Sequence, residues 1–190
     1  MRVVVLIAIC ITVALVILGG CAHVPLVVPE GLLTTKDLPP WLFCVEHDVA
    51  NHCAVFRSGQ PSGTELRAMR DQYGLKSVIK LNSALEARDE VPEGVERYEH
   101  PWLPAGPVDH DDLQSALDDL DDVPRPVLVH CEHGQDRTGL LIAVYRVRRG
   151  SWAQAAWNEW LAYGHVDSLL FRALRDAFVR ETGFDPMAAQ

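Results

Sequence analysis

The sequence is short of positive charge. It has 17 lysine and arginine residues against 26 aspartate and glutamate residues, and its formal net charge is −9. A protein that binds the phosphate backbone of a nucleic acid needs clustered basic residues, so we expect no nucleic-acid partner. The aspartates between positions 109 and 122 are expected to form a solvated helix face.

The sequence also lacks an apolar run long enough to cross a bilayer comfortably. The longest run, Val3–Leu18, has 16 residues, whereas a spanning helix needs about 20. Arg2 precedes the run and small residues follow it, which is the order found in a secretory signal. We expect residues 1–20 to be a signal peptide, with an uncleaved N-terminal anchor as the alternative. Both place the remaining chain outside the cytoplasm, because Arg2 stays inside.

The end of this run, Leu18-Gly19-Gly20-Cys21, resembles the lipobox of bacterial lipoproteins. The resemblance implies cleavage before Cys21 and lipidation of that residue, and hence membrane attachment in the cell envelope. If the cell has two membranes, Ala22 favours the outer membrane, facing the periplasm. Residues 21–40 contain four prolines and are expected to form a semi-extended tether. The folded domain is expected over residues 41–190.

Cysteine is scarce, with five residues in the chain, and none follows Cys131. In an exported protein, Cys44 and Cys53 are expected to form a disulfide. Two alternatives stay open: unpaired thiols, or a zinc site that also uses His47 and His52. Cys131 has to remain unpaired if it is to react.

The most informative segment is a strand, a short loop and a helix at residues 127–139. The apolar strand leads directly into Cys131, and Arg137 follows after five intervening residues. Backbone N–H groups in such a loop point inward and form an anion nest, to which the helix dipole adds positive potential. Gly134 lets the backbone bend, and the planar guanidinium of Arg137 can bind two phosphate oxygens. The segment predicts a site that holds a phosphate group against a thiolate.

The chemistry that this arrangement favours is hydrolysis of phosphate monoesters. A thiol attacks as the thiolate, so Cys131 is the predicted nucleophile, and water then hydrolyses a phosphocysteine intermediate. The hydroxyl of Thr138 is expected to bond the sulfur and ease its departure. His130 is expected to fix the loop and the thiolate by hydrogen bonding. No metal or other cofactor is expected.

The segment His130–Gly139 (HCEHGQDRTG) matches the C-x5-R signature of the cysteine-based protein tyrosine phosphatase superfamily. It most resembles small bacterial dual-specificity-type enzymes whose loop ends in Asp-Arg-Thr-Gly. Phe56–Pro61 is similar to their R-S-G-Q-P segment, and Lys76–Asn82 lies where they have a strand. The resemblance implies a single α/β domain whose central, mostly parallel sheet is flanked by helices. It also implies a phosphate-binding loop composed of Glu132, His133, Gly134, Gln135, Asp136, Arg137 and Thr138.

The sequence departs from this family at the general acid. The segment His100–Asp109 has no acidic residue where the family places Trp-Pro-Asp. Asp109, the last residue of the segment, is its first acidic residue, but its position also fits a helix N-cap. Asp136 has been assigned a share of the acid work in relatives with Asp-Arg-Thr-Gly, and it is the preferred candidate.

Two further residues bear on substrate and on the loop. The loop contains no lysine, and Glu132 would repel additional phosphates, so a singly phosphorylated substrate is expected. Arg57 is expected to be structural, tying its strand to the loop, with orientation of the loop for catalysis as the alternative.

Two other functions stay open. The first is an envelope protein that binds phosphorylated ligands without turnover. The second is a thiol enzyme that handles sulfur or arsenate, although arsenate reduction generally needs a further cysteine after the nucleophile.

Hydrophobic periodicity and turn residues predict the secondary structure. Strands are expected at 54–57, 77–81, 95–100 and 126–130, and helices at 62–73, 109–121, 138–149, 152–163 and 168–182. Their alternation predicts a parallel sheet covered on both faces. The apolar residues expected to build core rather than bind a ligand include Trp157, Trp160, Leu170, Leu174 and Phe178.

Overall fold

The computed structural model describes residues 39, 41–82 and 91–188 of the chain. The strands are β1 (Leu42–His47), β2 (Cys53–Ser58), β3 (Ser77–Asn82), β4 (Glu96–Trp102) and β5 (Val127–His130). The helices are α1 (Gly63–Tyr73), α2 (His110–Asp122), α3 (Asp136–Arg148), α4 (Ala153–Ala162) and α5 (Arg172–Thr182), and a 3₁₀ turn at Leu169–Phe171 precedes α5.

The five strands form one sheet in the order β1-β2-β5-β3-β4. β1 is antiparallel to β2, while the pairings of β2 with β5, β3 with β5 and β3 with β4 are parallel. In the register of the central strand, His130 lies opposite Ser58 on one side and Lys80 on the other. The carboxyl ends of β2, β5 and β3 therefore meet at the same edge of the sheet.

The alternation of side chains along each strand divides the core between the two faces of the sheet. On one face, Phe56, Val78 and Leu128 pack with Leu66 and Met69 of α1. The side chains of the other face pack against residues of α2, α3, α4 and α5, and they are Val55, Ile79, Val127 and Val129. The expected α/β architecture, with a central sheet between helices, is confirmed.

Local signals located both ends of α1. Ser62 and Glu65 form the reciprocal hydrogen bonds of a capping box at the start of α1, and Gly74 ends the helix in a left-handed conformation. The apolar stripe of α2 is buried as its spacing predicts. These features depend on residues within one or two turns of each other.

The sequence interpretation missed strand β1. Its residues pair with β2 over most of its length, and Cys44 in β1 is joined to Cys53 in β2 by a disulfide with a Cα–Cα distance of 5.7 Å. The disulfide is the pairing expected from the sequence, to which unpaired thiols and a zinc site were the alternatives. Because both sulfurs are in that bond, they cannot serve as thiolate ligands of a zinc site.

Three other details differ from the expectations. β4 extends through Pro101 to Trp102, and α3 begins at Asp136 rather than Thr138. Leu170 is 67% exposed, so its expected place in the core was wrong. It lies in the 3₁₀ turn, where the spacing of side chains differs from that of an α-helix.

In the described part of the chain, no helix is long and apolar enough to span a bilayer. The predicted signal peptide, Cys21 and nearly all of the tether lie outside the described residues.

Candidate active site

Cys131 lies at the first position after the central strand, between the carboxyl ends of β2 and β3. It is buried, and it is the one free cysteine of the described residues. The chain turns through residues 132–135 and enters α3 at Asp136. The sulfur is therefore enclosed by a loop that ends at a helix N-terminus, as the sequence predicts.

The loop rests on the backbone that follows β2. The N–H of Gln60 donates a hydrogen bond to the carbonyl of Glu132 at 2.9 Å. Gly134 has a φ of +72°, and a Cβ atom at this position would lie 2.5 Å from the carbonyl oxygen of Ser58. Only glycine combines this conformation with so close an approach of two backbones.

Arg57 of β2 binds the middle of the loop. Its Nη2 donates a 2.7 Å hydrogen bond to the carbonyl of Gly134, and its guanidinium lies 3.8 Å from the ring centre of Tyr163. The side chain is almost completely buried. Burial lowers the pKa of Arg57, while the charges of Tyr163, Glu159 and Cys131 partly oppose this shift. Arg57 therefore ties β2 to the loop and also places positive charge in the electrostatic environment of the sulfur.

Arg137 is anchored to two other strands. Its Nη1 donates to the carbonyl of Trp102 at 3.0 Å and lies 3.5 Å from the carbonyl of Leu81. Its Nη2 is 4.0 Å from Oε2 of Glu132. The guanidinium is thus held between the ends of β3 and β4 and the loop itself, which restricts its orientation.

The outer part of the loop carries the exposed charges. The side chain of Glu132 is 49% exposed and its Oε2 lies 3.8 Å from Nδ1 of His133, whose side chain is 61% exposed. A carboxylate and an imidazole therefore form the exposed outer side of the loop.

Asp136 has a partner that the sequence interpretation missed. Its Oδ1 lies 2.7 Å from Nδ1 of His165, which is in the segment between α4 and the 3₁₀ turn. The ring of His165 stacks on Trp160 with a centroid distance of 4.1 Å and an interplanar angle of 17°. In the sequence, a histidine that follows a glycine at the end of a helix is only a weak indication of a functional residue. Only the fold shows that His165 reaches the loop.

Trp160 also braces the loop directly. Its Nε1 donates to the carbonyl of Gln135 at 3.1 Å, and a Cβ added to Gly139 would lie 2.1 Å from its Cδ1. The glycine after Thr138 is therefore required by close packing of α4 against α3.

Asp109 caps the N-terminus of α2, which is the alternative role that its position predicted. Its Oδ1 accepts a 2.8 Å hydrogen bond from the N–H of Asp112, and it is the N-cap of α2. Its carboxylate is therefore engaged with the backbone of α2.

His130 and Thr138 are fully buried on either side of the loop. Within the described residues, Oγ1 of Thr138 has no hydrogen-bond partner. The hydrogen bond from Thr138 to the sulfur that the sequence predicts is therefore not formed in this structure.

Comparison with known proteins identifies relatives of the chain. The profile of the tyrosine phosphatase family matches residues 107–150. The dual specificity protein phosphatase TpbA of Pseudomonas aeruginosa strain PAO1 is 30% identical over 155 residues, which is 78% of this chain and 66% of TpbA. The matched region is thus slightly less than two thirds of this curated relative.

Solved structures of related proteins also resemble the chain. A crystal structure of P. aeruginosa TpbA has a TM-score of 0.55 at 30% identity, covering 70% of this chain and 81% of that chain. A Cys-to-Ser variant of TpbA in complex with phosphotyrosine has a TM-score of 0.54 at 28% identity, covering 67% and 78%. Tk-PTP in its active form shares the fold, with a TM-score of 0.59 at 19% identity over 75% of this chain and 99% of that one. Together with the cysteine loop described above, these similarities show that the chain belongs to the tyrosine phosphatase family.

Proposed function

We propose that this protein hydrolyses phosphate monoesters as a tyrosine or dual-specificity phosphatase, with Cys131 as the nucleophile. The observation that carries the proposal is the buried, free sulfur at the floor of a loop that opens a helix. Two buried guanidinium groups lie at this loop: Arg57 donates to the carbonyl of Gly134 within it, and Arg137, at its end, is oriented by the carbonyl of Trp102. Preorganised positive groups around a developing charge are the usual source of most of the rate enhancement in such a site.

In the first step, the thiolate of Cys131 attacks phosphorus and the bond from phosphorus to the ester oxygen breaks. Arg137 and the loop N–H groups bind the equatorial phosphate oxygens, where charge is spread in the transition state. Asp136 gives its proton to the leaving oxygen. General acid catalysis of this kind contributes about 10²–10⁴-fold.

In the second step, water attacks the phosphocysteine and the phosphorus–sulfur bond breaks. The carboxylate of Asp136 takes a proton from the attacking water, and the sulfur leaves as a thiolate. Inorganic phosphate is released and the starting enzyme is restored, without a metal or other cofactor.

The substrate class that we propose is a singly phosphorylated protein or other monoester. Glu132 supports this, since its carboxylate stands beside Arg137 at the mouth of the loop and would repel a second phosphate. The relative TpbA has been crystallised with phosphotyrosine. Replacement of Glu132 by glutamine is expected to improve the relative rate on a doubly phosphorylated peptide, and an unchanged ratio would argue against this role.

We also propose that the protein acts in the cell envelope as a lipoprotein anchored through Cys21. The support is the sequence of residues 1–21, with its positive start, short apolar run and lipobox-like end. Incorporation of labelled fatty acid into the wild type but not into a Cys21→Ser variant would support the anchor. Equal labelling of both proteins would argue against it.

The first experiment measures phosphate release from p-nitrophenyl phosphate and from a phosphotyrosine peptide, in the presence of a metal chelator. Turnover that vanadate inhibits and that the Cys131→Ser variant loses is the expected result. Circular dichroism of both proteins verifies that they are folded. Full activity in the variant would refute the proposal, and binding of phosphate esters without turnover by the wild type would favour a non-catalytic binding protein.

The sulfur and arsenate alternative receives less support. Cys44 and Cys53 are joined to each other, so neither is available to resolve an intermediate on Cys131. Among the described residues, no further free cysteine is present.

A further inference from the structure

We propose that His165 is a positioning residue that fixes which carboxyl oxygen of Asp136 carries the catalytic proton. This inference rests on the proposed phosphatase function and on Asp136 as its acid. It concerns a residue far from the loop in sequence, which the motif itself does not include.

The imidazole of His165 is held in one orientation. Its side chain is 0% exposed, it stacks on Trp160, and the rings of Trp157 and Phe171 contact it edge-on at centroid distances of 5.9 and 5.8 Å. A ring enclosed by three aromatic side chains cannot turn without disrupting the core. Its Nδ1 therefore presents a fixed hydrogen-bond direction to Asp136.

The backbone before His165 brings it to the loop. Gly164 has a φ of +91°, and a Cβ at this position would lie 2.7 Å from Nε2 of Gln135. Trp160 binds the carbonyl of the same Gln135. The segment that carries His165 is thus packed directly on the phosphate-binding loop at the residue before Asp136.

The hydrogen-bond partners indicate the tautomer of His165. Nδ1 faces a carboxyl oxygen of Asp136, whereas Nε2 is buried and has no hydrogen-bond partner in the described part of the chain. A buried N–H without an acceptor is costly, so we assign the proton to Nδ1 and a lone pair to Nε2. His165 then donates to Oδ1 of Asp136.

This hydrogen bond suits both protonation states of the acid. Oδ1 can accept from Nδ1–H as a carboxylate oxygen, where the bond is stronger, and also as the carbonyl oxygen of the neutral acid, so the proton of Asp136 is confined to Oδ2. Oδ2–H gives its proton to the leaving oxygen in the first step, and Oδ2 takes a proton from water in the second. His165 keeps its own proton throughout, and the carboxyl group does not have to rotate between the two steps.

The test uses a series of aryl phosphates whose leaving groups range from good to poor, assayed with the full-length enzyme. A proton donor matters little for a good leaving group and most for a poor one. We expect His165→Leu to lose about tenfold or more in kcat on the poorest leaving group, but less than about threefold on the best, because the defect is one of proton delivery. KM is expected to change little.

Three variants make this result specific. Asp136→Asn is expected to show the same steep dependence on the leaving group, at greater amplitude. His165→Asn keeps a donor near the position of Nδ1 and is expected to recover part of the loss. His110→Leu makes the same change at a histidine that pairs with a different carboxylate, that of Glu181 at 3.0 Å, and it is expected to keep the wild-type dependence.

The outcomes separate the inference from the proposed function. If Asp136→Asn has the wild-type dependence, Asp136 is not the acid and the inference fails with it, although Cys131 can still be the nucleophile. If the kcat of Asp136→Asn depends steeply on the leaving group while that of His165→Leu follows the wild-type dependence, the inference alone is overturned. It is also overturned if His110→Leu matches His165→Leu, or if His165→Asn recovers nothing.

Discussion

Replacement of Arg57 by lysine tests whether the loop depends on a planar guanidinium beneath it. The change keeps a positive charge but removes the geometry of two contacts, the 2.7 Å hydrogen bond to Gly134 and the stack on Tyr163 at 3.8 Å. A compact ammonium ion is also more strongly hydrated than a guanidinium and is less suited to burial.

The expected loss can be worked out from these contacts. A hydrogen bond from a charged donor contributes roughly 1.5–3 kcal/mol, and a desolvated cation–π contact contributes about 2 kcal/mol. Lysine can recover part of the first through its charge, so the free energy of unfolding is expected to fall by roughly 2–4 kcal/mol. Displacement of the loop by as little as about 1 Å would lower kcat/KM by about 100-fold.

The measurements are urea denaturation and kcat/KM with p-nitrophenyl phosphate. Arg67→Lys is the matched control, because Arg67 is exposed on α1 and donates a local hydrogen bond to Thr64. Arg67→Lys is expected to resemble the wild type in both assays. If Arg57→Lys also has wild-type stability and activity, the contacts of Arg57 with the loop and with Tyr163 do not matter as argued.

Three further perturbations test other parts of the structure. The double variant Cys44→Ser/Cys53→Ser removes a disulfide of sequence separation 9, and the free energy of unfolding should fall by roughly 2.5–3 kcal/mol. Calorimetry should show a Tm lower by about 5–10 °C. An unchanged Tm would contradict this. Gly134→Ala should lower kcat/KM at least about tenfold because its Cβ meets backbone, whereas Gly74→Ala, with a similar φ but open space, should keep full activity. Burial raises the pKa of Glu46, but hydrogen bonds from Tyr145 and Arg149 and nearby positive charges outweigh it and lower the pKa overall. The stability that Glu46 contributes is present above the unfolded pKa of about 4.3 and is lost as the pH falls through the folded pKa. The free energy of unfolding of Glu46→Gln should therefore decrease less at acid pH than that of the wild type. An identical pH profile of the two proteins would refute this.

The features that the sequence determined are local ones. The loop from Cys131 to Arg137, the capping box at Ser62 and the helix end at Gly74 each depend on residues a few positions apart. Their backbone conformations follow from residue type and from nearby hydrogen bonds. The buried strands could also be located, because a short apolar run between turn residues has few other structures available.

The edge strand and the disulfide needed the tertiary structure. The segment Leu42–His47 is short, and it becomes a strand through its pairing with β2. The sequence favoured a disulfide between Cys44 and Cys53 but left free thiols and a zinc site open. The antiparallel pairing places the two Cα atoms 5.7 Å apart, a spacing that suits a disulfide.

The sequence by itself thus determined the reactive loop, because a cysteine, an arginine and a helix start at fixed spacing need no other part of the chain to be recognised. The sequence also predicted that Arg57 ties its strand to the loop, but only the fold shows which atoms support the loop. Arg57 reaches Gly134 across 77 positions, and His165 reaches Asp136 across 29. Such contacts depend on the order of strands in the sheet and on the packing of α4 against α3, and neither is encoded in local spacing.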